Sequence, residues 1–423
     1  LGAIEDGLIT EEDITKSAVR ALTARFLMGL FDGSQYDEIP YEKVECKEHV
    51  EEAIDLARKS CVLLKNDGVL PIDKSKVKTI GVVGPNADSR AALIGNYHGT
   101  SSRYITVLEG IQDEAGDDIR VLYSQGCHLY KDKVENLAWN QDRISEAVIT
   151  AEHSDVVVIC VGLDETLEGE EGDTGNSDAS GDKKDLHLPK VQEELIEKVT
   201  AVGKPTILVL MAGSAIDLNY PDANCNGILQ AWYPGARGGK AVADLLFGKT
   251  SPSGKLPVTF YKDLEGMPEF TDYSMKNRTY RFMEKEALYP FGYGLTYGDV
   301  QVTQARITNQ VTADSDIEVE VTLENKGAVD TEDVVQLYIK DLESPLAVRN
   351  YSLCAFQRVA LKAGERKQIS LVVKNRAMEV VDEQGQRHID SRSFRIYAGT
   401  SQPDSRSQAL TGQKPLELNV TLG

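Results

Sequence analysis

Positive charge is what this sequence lacks most: 46 Lys and Arg stand against 67 Asp and Glu, a formal net charge of −21. That balance argues against nucleic acid or an anionic membrane as partner, since both need a basic footprint. No run of 18 or more apolar residues occurs, so no segment reads as a membrane-spanning helix. The six cysteines, Cys46, Cys61, Cys127, Cys160, Cys225 and Cys354, are scattered and form neither a CxxC pair nor a Cys/His spacing suited to zinc or redox chemistry. Cys61 and Cys160 sit in apolar segments and read as small buried hydrophobes, and dispersed cysteines lean toward a reducing compartment. The opening residues carry no secretory signal pattern and are expected to lie inside a longer protein, so localisation is not readable from this end.

Nucleotide loops and familiar nucleophile motifs are missing too. "FGKT" at 247–250 ends like a phosphate-binding loop, but Ala243 stands where a glycine is required. Neither "VGPNAD" nor "VGLDET" supplies GxGxxG, and Ser214 in "MAGSAI" lacks the glycine of a GxSxG elbow. The six histidines make no HExxH, and His98 and His187 read as loop or core residues. No metal or organic cofactor is implied. Only two tryptophans occur, Trp139 and Trp232, few for a groove built on aromatic platforms.

What is present falls into three parts. Residues 1–45 contain one amphipathic helix, with Thr10 and Asp13 as its capping box and Ile14, Ala18, Leu22 and Phe26 recurring every four residues. No core of its own accompanies that helix, so it is expected to have a packing partner elsewhere. Residues 46–300 alternate helices with short, fully apolar, β-branched runs: "VKTIGVVGP", "VVVICVG", "TILVLMAG" and "GILQAWYPG". "HVEEAIDLARKSCVLLKNDG" reads as a helix closing on Asp67–Gly68. This alternation predicts an α/β domain with a mostly parallel sheet flanked by helices, whose ligands sit at the carboxyl ends of the strands. Residues 301–423 change to several short alternating strands, of which "IEVEVTLENKG" alternates without a fault, predicting an all-β sandwich of immunoglobulin or fibronectin type III kind.

One such strand run opens into "VGLDETLEGEEGDTG", where Asp164, Glu165, Glu168, Glu170, Glu171 and Asp173 crowd ten positions. The stretch from Asp164 to Asp185 has no periodicity, and loops of that length inside a compact domain are functional or disordered. Like charges this close resist joint ionisation, and a carboxyl that keeps its proton near neutral pH is what a general acid needs in glycosidic-bond cleavage. A solvated acidic surface loop is the alternative on residues alone.

"LEGEEGDTGNSDASGDKKDLHLPKVQEELIEKV", with "VLLKNDGVLPI", "IGVVGPNAD", "LIGNYHG", "GGKAVADLLFGKTSPSGKLPVTF", "NRTYRFM" and "YPFGYGLTY", resembles glycoside hydrolase family 3, in the family's order, from residue 1 to about 400. The resemblance implies a (β/α)8 barrel ahead of this chain, then an (α/β)6 sandwich, then a fibronectin type III-like domain. The opening helix then corresponds to the last barrel helix. It further implies a retaining exo-acting β-glucosidase or β-xylosidase that takes an oligosaccharide or aryl β-glycoside. Carried over by motif, Glu170 is the acid/base, with Glu168 the second choice and Glu171 the third. Asp182 and Lys183 stand where the family often has Asp-Arg, and either face the sugar or pin the loop. Trp232 either lines a sugar site or is a core or loop aromatic.

The family's nucleophile, an aspartate in a Ser-Asp-Trp-type motif on the barrel, has no counterpart here; Ser177–Asp178 is followed by alanine. The chain is therefore expected to be inactive until a barrel, in cis or in trans, completes the site. The competing reading is a non-catalytic carbohydrate-binding or adaptor module, which folds alone do not exclude.

Overall fold

A computed structural model describes residues 1–139, 141–170 and 181–423, and divides into two compact units, Leu1–Glu51 and Glu52–Gly423. The first unit holds α1 (Gly2–Glu5) and α2 (Glu11–Leu27). The expected capping box is present: Thr10 accepts from the Asp13 amide, and the Asp13 carboxylate accepts from the Thr10 amide. No residue of α2 is buried, and Ile14, Leu22 and Phe26 of its apolar stripe are all exposed.

The second unit opens within α3 (Lys47–Ser60) and goes on through β1 (Val62–Asn66), β2 (Thr79–Val83), α4 (Ala91–Ile94), α5 (Val107–Ala115), β3 (Arg120–Ser124) and α6 (Asp142–Glu152). It continues through β4 (Val156–Gly162), α7 (Lys190–Thr200), β5 (Thr206–Met211), α8 (Asn219–Asn224), β6 (Gly227–Gln230) and α9 (Gly238–Leu246). The strands form one sheet in the order β1-β6-β5-β4-β2-β3, parallel throughout except for β1, which runs antiparallel to β6. The expectation of one helix through Asp67 is corrected here: the helix stops at Ser60, and Val62–Asn66 becomes an edge strand. An apolar run this short carries no period that separates helix from strand; its pairing with β6, far along the chain, decides.

Both faces of the sheet are covered, which is why β4 is buried from end to end. Val157, Ile159 and Val161 point into one core with Ile144 and Ala147 of α6 and Leu195 and Val199 of α7. Val156, Val158 and Cys160 point into the other, with Leu93, Ile111, Val242 and Leu245 from α4, α5 and α9. Each of these Val, Leu and Ile side chains contributes about 1.5–3 kcal/mol on full burial. Helices α5 and α9 cross backbone to backbone, because Gly110 and Gly239 leave no side chain between them.

After the short α10 (Thr279–Phe282) the chain builds a sandwich from β7 (Val300–Ile307), β8 (Ile317–Asn325), β9 (Thr331–Asp341), β10 (Ser352–Leu361), β11 (Arg366–Val373), β12 (Val380–Val381), β13 (Arg387–His388), β14 (Ser393–Gly399) and β15 (Leu416–Thr421), with α11 (Ser405–Thr411) before the last strand. Sheets β10-β9-β14-β15 and β11-β8-β7 face each other across one core. Ile317, Val319, Val321 and Leu323 of β8 all enter that core, as their alternation predicts. Strand β9 departs from the two-faced pattern: residues 333–339 are all buried. Its second face packs on the segment after α9, where Gln336 donates to the Gly292 carbonyl at 2.9 Å and the Tyr338 ring meets the Tyr280 ring edge-on.

Candidate active site

Strands β4, β5 and β6 are neighbours, and their carboxyl ends release the residues that matter. Beyond Gly162, Asp164 accepts from the Thr166 amide at 2.9 Å, and its carbonyl accepts from the Leu167 and Glu168 amides at 3.0 and 2.9 Å. This single turn aims Glu168 at the β5 exit. There its Oε2 accepts from the Gly213 amide at 2.7 Å, and its Oε1 accepts from the Ser214 hydroxyl. From the β6 exit, the Tyr233 hydroxyl donates to Oε2 at 2.6 Å. Burial first, and the Glu168 charge second, hold the Tyr233 phenol far above its usual value, so it stays a donor. Gly213 makes room for this meeting: a Cβ there would stand 3.0 Å from the Tyr233 ring and 3.1 Å from Glu168 Oε2.

The neighbouring loop after α4 contributes His98, whose Nε2 lies 2.8 Å from Glu165 Oε2 and whose Nδ1 lies 3.0 Å from the Gly99 carbonyl. Both ring nitrogens face acceptors, which only the imidazolium satisfies. The Gly99 carbonyl, then Glu165, raise its pKa above the ordinary 6.5. A raised folded-state value contributes stability that is complete below 6.5 and is lost as pH rises through the folded pKa. Following the His98 ring protons by NMR should therefore give a midpoint above 6.5 that moves back down in Glu165→Gln; an unmoved midpoint would refute the pairing.

The returning leg of the loop reaches the same place. Lys183 donates to the Ala215 carbonyl at 2.6 Å, next to Gly213 and Ser214, and the Asp217 amide donates to the Leu186 carbonyl at 2.7 Å. Burial draws the Lys183 pKa down, with Glu168 and Asp185 opposing. Glu170 is exposed at the end of the outgoing leg, and Asp182 is exposed on the returning one. Glu171, Asp173, Ser177 and Asp178 lie outside the described residues.

The structure thus brings Glu168 and Lys183 together on residues 213–215, with Glu170 and Asp182 flanking them in sequence. Trp232 goes elsewhere. Its backbone is left-handed, φ 56°. The indole N–H donates to the Ser60 carbonyl at 3.0 Å, and the ring lines, with Phe291 and Phe356, a cavity of about 600 Å³ that neither Glu168 nor Lys183 borders.

Residues 61–297 match the glycosyl hydrolase family 3 C-terminal domain, and residues 333–402 match the fibronectin type III-like domain. The chain belongs to glycosyl hydrolase family 3. Among family relatives, a β-xylosidase from Formosa agariphila is 34% identical over 92% of this chain and 53% of its own length. A periplasmic β-glucosidase from Salmonella typhimurium is 31% identical over 94% of this chain and 55% of its own. The chain spans about half the length of these curated relatives. A β-glucosidase structure from Erythrobacter marinus, 32% identical, aligns with a TM-score of 0.81 over 100% of this chain and 57% of that one. A family 3 exo-β-xylosidase in complex with a xylobiose aziridine probe, 25% identical, aligns with a TM-score of 0.83 over 100% of this chain and 55% of that one. The (α/β) sandwich followed by a fibronectin type III-like domain is accordingly the family 3 arrangement.

Sequence reasoning missed Gly213, Tyr233 and the His98–Glu165 pair, and weighed Ser214 only as a nucleophile. The signal that finds the first two is positional. Gly213 stands two residues past β5, next to the strand that feeds the acidic loop, and Tyr233 three residues past β6, one strand further on, at the carboxyl ends where α/β sheets place ligands.

Proposed function

We propose that the chain is the acid/base-bearing portion of a retaining exo-β-glycosidase acting on β-xylosides or β-glucosides, with Glu170 as the proton donor. The observation that carries this reading is the mounting of the loop: both legs are fastened to residues 213–215, and Glu170 stands exposed beside that anchorage at the carboxyl edge of the sheet. The names of the relatives support the substrate class. Glu170 gives its proton to the glycosidic oxygen as the bond to the anomeric carbon breaks, while a carboxylate from the barrel, in cis or in trans, bonds that carbon. In the second step the Glu170 carboxylate takes a proton from water, which attacks the same carbon and releases the sugar. The two carboxyl groups must approach to about 5–5.5 Å, so neither half works alone.

Of the flanking pair, Lys183 pins the loop, as its bond to Ala215 supports, and Asp182 is assigned to the sugar. Trp232 belongs to the junction with the β-sandwich rather than to the sugar site. In a protein joining this chain to its barrel, Glu170→Ala should lower kcat/KM on phenyl β-glycosides by about 10²–10⁴-fold. Wild-type kinetics in that variant would sink the assignment.

A further inference from the structure

Glu168 and Glu170 are one glycine apart, yet they differ in burial. Glu170 is exposed. Glu168 is half-buried, with both oxygens engaged by donors from Gly213, Ser214 and Tyr233. A proton donor must offer an O–H to the leaving group. Among the described residues Glu168 instead accepts from Gly213, Ser214 and Tyr233, so its geometry is that of an anchor. Its donors come from two strand exits, those of β5 and β6, while Glu168 itself hangs from β4. One carboxylate therefore ties the ends of three adjacent strands.

We propose that Glu168 is a positioning residue: clamped by Gly213, Ser214 and Tyr233, it fixes the stem from which Glu170 delivers its proton. The inference rests on Glu170 as the acid/base and goes beyond it by giving separate tasks to two glutamates that the sequence left interchangeable. Two residues of chain reach about 7 Å, so a released stem lets the Glu170 carboxyl range far outside bonding distance of the glycosidic oxygen. Misplacement by about 1 Å already costs up to about a hundredfold in rate. Lys183, bonded to Ala215, secures the returning leg in the same way.

The test compares Glu168→Gln, Tyr233→Phe and Glu170→Ala in the barrel-bearing protein, using phenyl and dinitrophenyl β-glycosides with and without azide. Phenoxide leaves poorly and needs the proton; dinitrophenoxide does not. Glu168→Gln and Tyr233→Phe should lose about tenfold to a hundredfold in kcat on the phenyl glycoside. On the dinitrophenyl glycoside kcat/KM should change little, because that first step needs no proton, and azide should restore neither variant. Glu170→Ala should show the same leaving-group pattern more deeply and be restored by azide, which forms the glycosyl azide. Azide rescue of Glu168→Gln but not of Glu170→Ala would make Glu168 the proton donor and overturn the proposal while leaving the acid/base loop intact. Wild-type behaviour of both Glu168→Gln and Tyr233→Phe would overturn the clamp alone. An unchanged leaving-group dependence in all three variants would overturn the reading of the loop itself. Tyr233→Phe removes a single hydroxyl, so it remains informative should Glu168→Gln fold poorly.

Discussion

Purified alone, this chain should hydrolyse p-nitrophenyl β-xyloside and β-glucoside at least about 10⁴-fold more slowly than the same chain joined to a family 3 barrel. The reason is chemical rather than conformational. A retaining mechanism splits one displacement into two, and each needs a carboxylate on the face of the sugar opposite the bond being broken. The loop of Glu168 and Glu170 leaves one edge of one sheet, and its two legs are tied to that edge by Glu168 and Lys183. Such a mount presents carboxyls to one side of a substrate only. Steady-state assays of the chain alone, then with an added barrel domain, decide the matter. Ordinary turnover by the chain alone would place a second catalytic carboxylate within these 423 residues.

Gly239→Ala should lower the stability of the second unit by about 3 kcal/mol. Helix α9 begins against the backbone of residues 105–106, where the Gly239 amide donates to the Ile105 carbonyl at 2.9 Å. A methyl at 239 would overlap the carbonyl groups of both Ile105 and Thr106, and one at Gly110 would overlap the Gly239 carbonyl. These are main-chain atoms, so no rotamer change relieves the clash. Relief requires α5 and α9 to separate, opening the core of Ile111, Val242 and Leu245 between them. A fall in the urea midpoint measures the effect. Gly99→Ala is the control, since a methyl there meets nothing within 4 Å and should leave the midpoint in place.

Wherever a residue's environment is set by its neighbours in sequence, the reading held. The capping box of α2 joins groups three residues apart, and β8 alternates because one of its faces meets the sandwich core. Strand β4 is apolar throughout because helices cover both faces of its sheet, and that too is visible in seven consecutive residues. The reading failed where a distant segment decides. Val62–Asn66 is a strand because β6 lies alongside it, and β9 is buried on both faces because residues 280–292 cover the second one.

The candidate site divides along the same line. An unusual density of carboxylates after a buried strand marked the loop, and motif resemblance ranked Glu170 before Glu168. Neither told the two glutamates apart in kind, since in sequence they are the same residue in the same acidic run. Their difference arises from Gly213 and Ser214, 45 and 46 positions away, and Tyr233, 65 positions away. By itself the sequence determined the family, the alternation of helix and strand, and the strand whose exit feeds the acidic loop, because composition and period are local properties. Only the tertiary structure decided that Glu168 is bonded to residues 213, 214 and 233, because hydrogen bonds form between strand ends that parallel packing, not chain order, brings together.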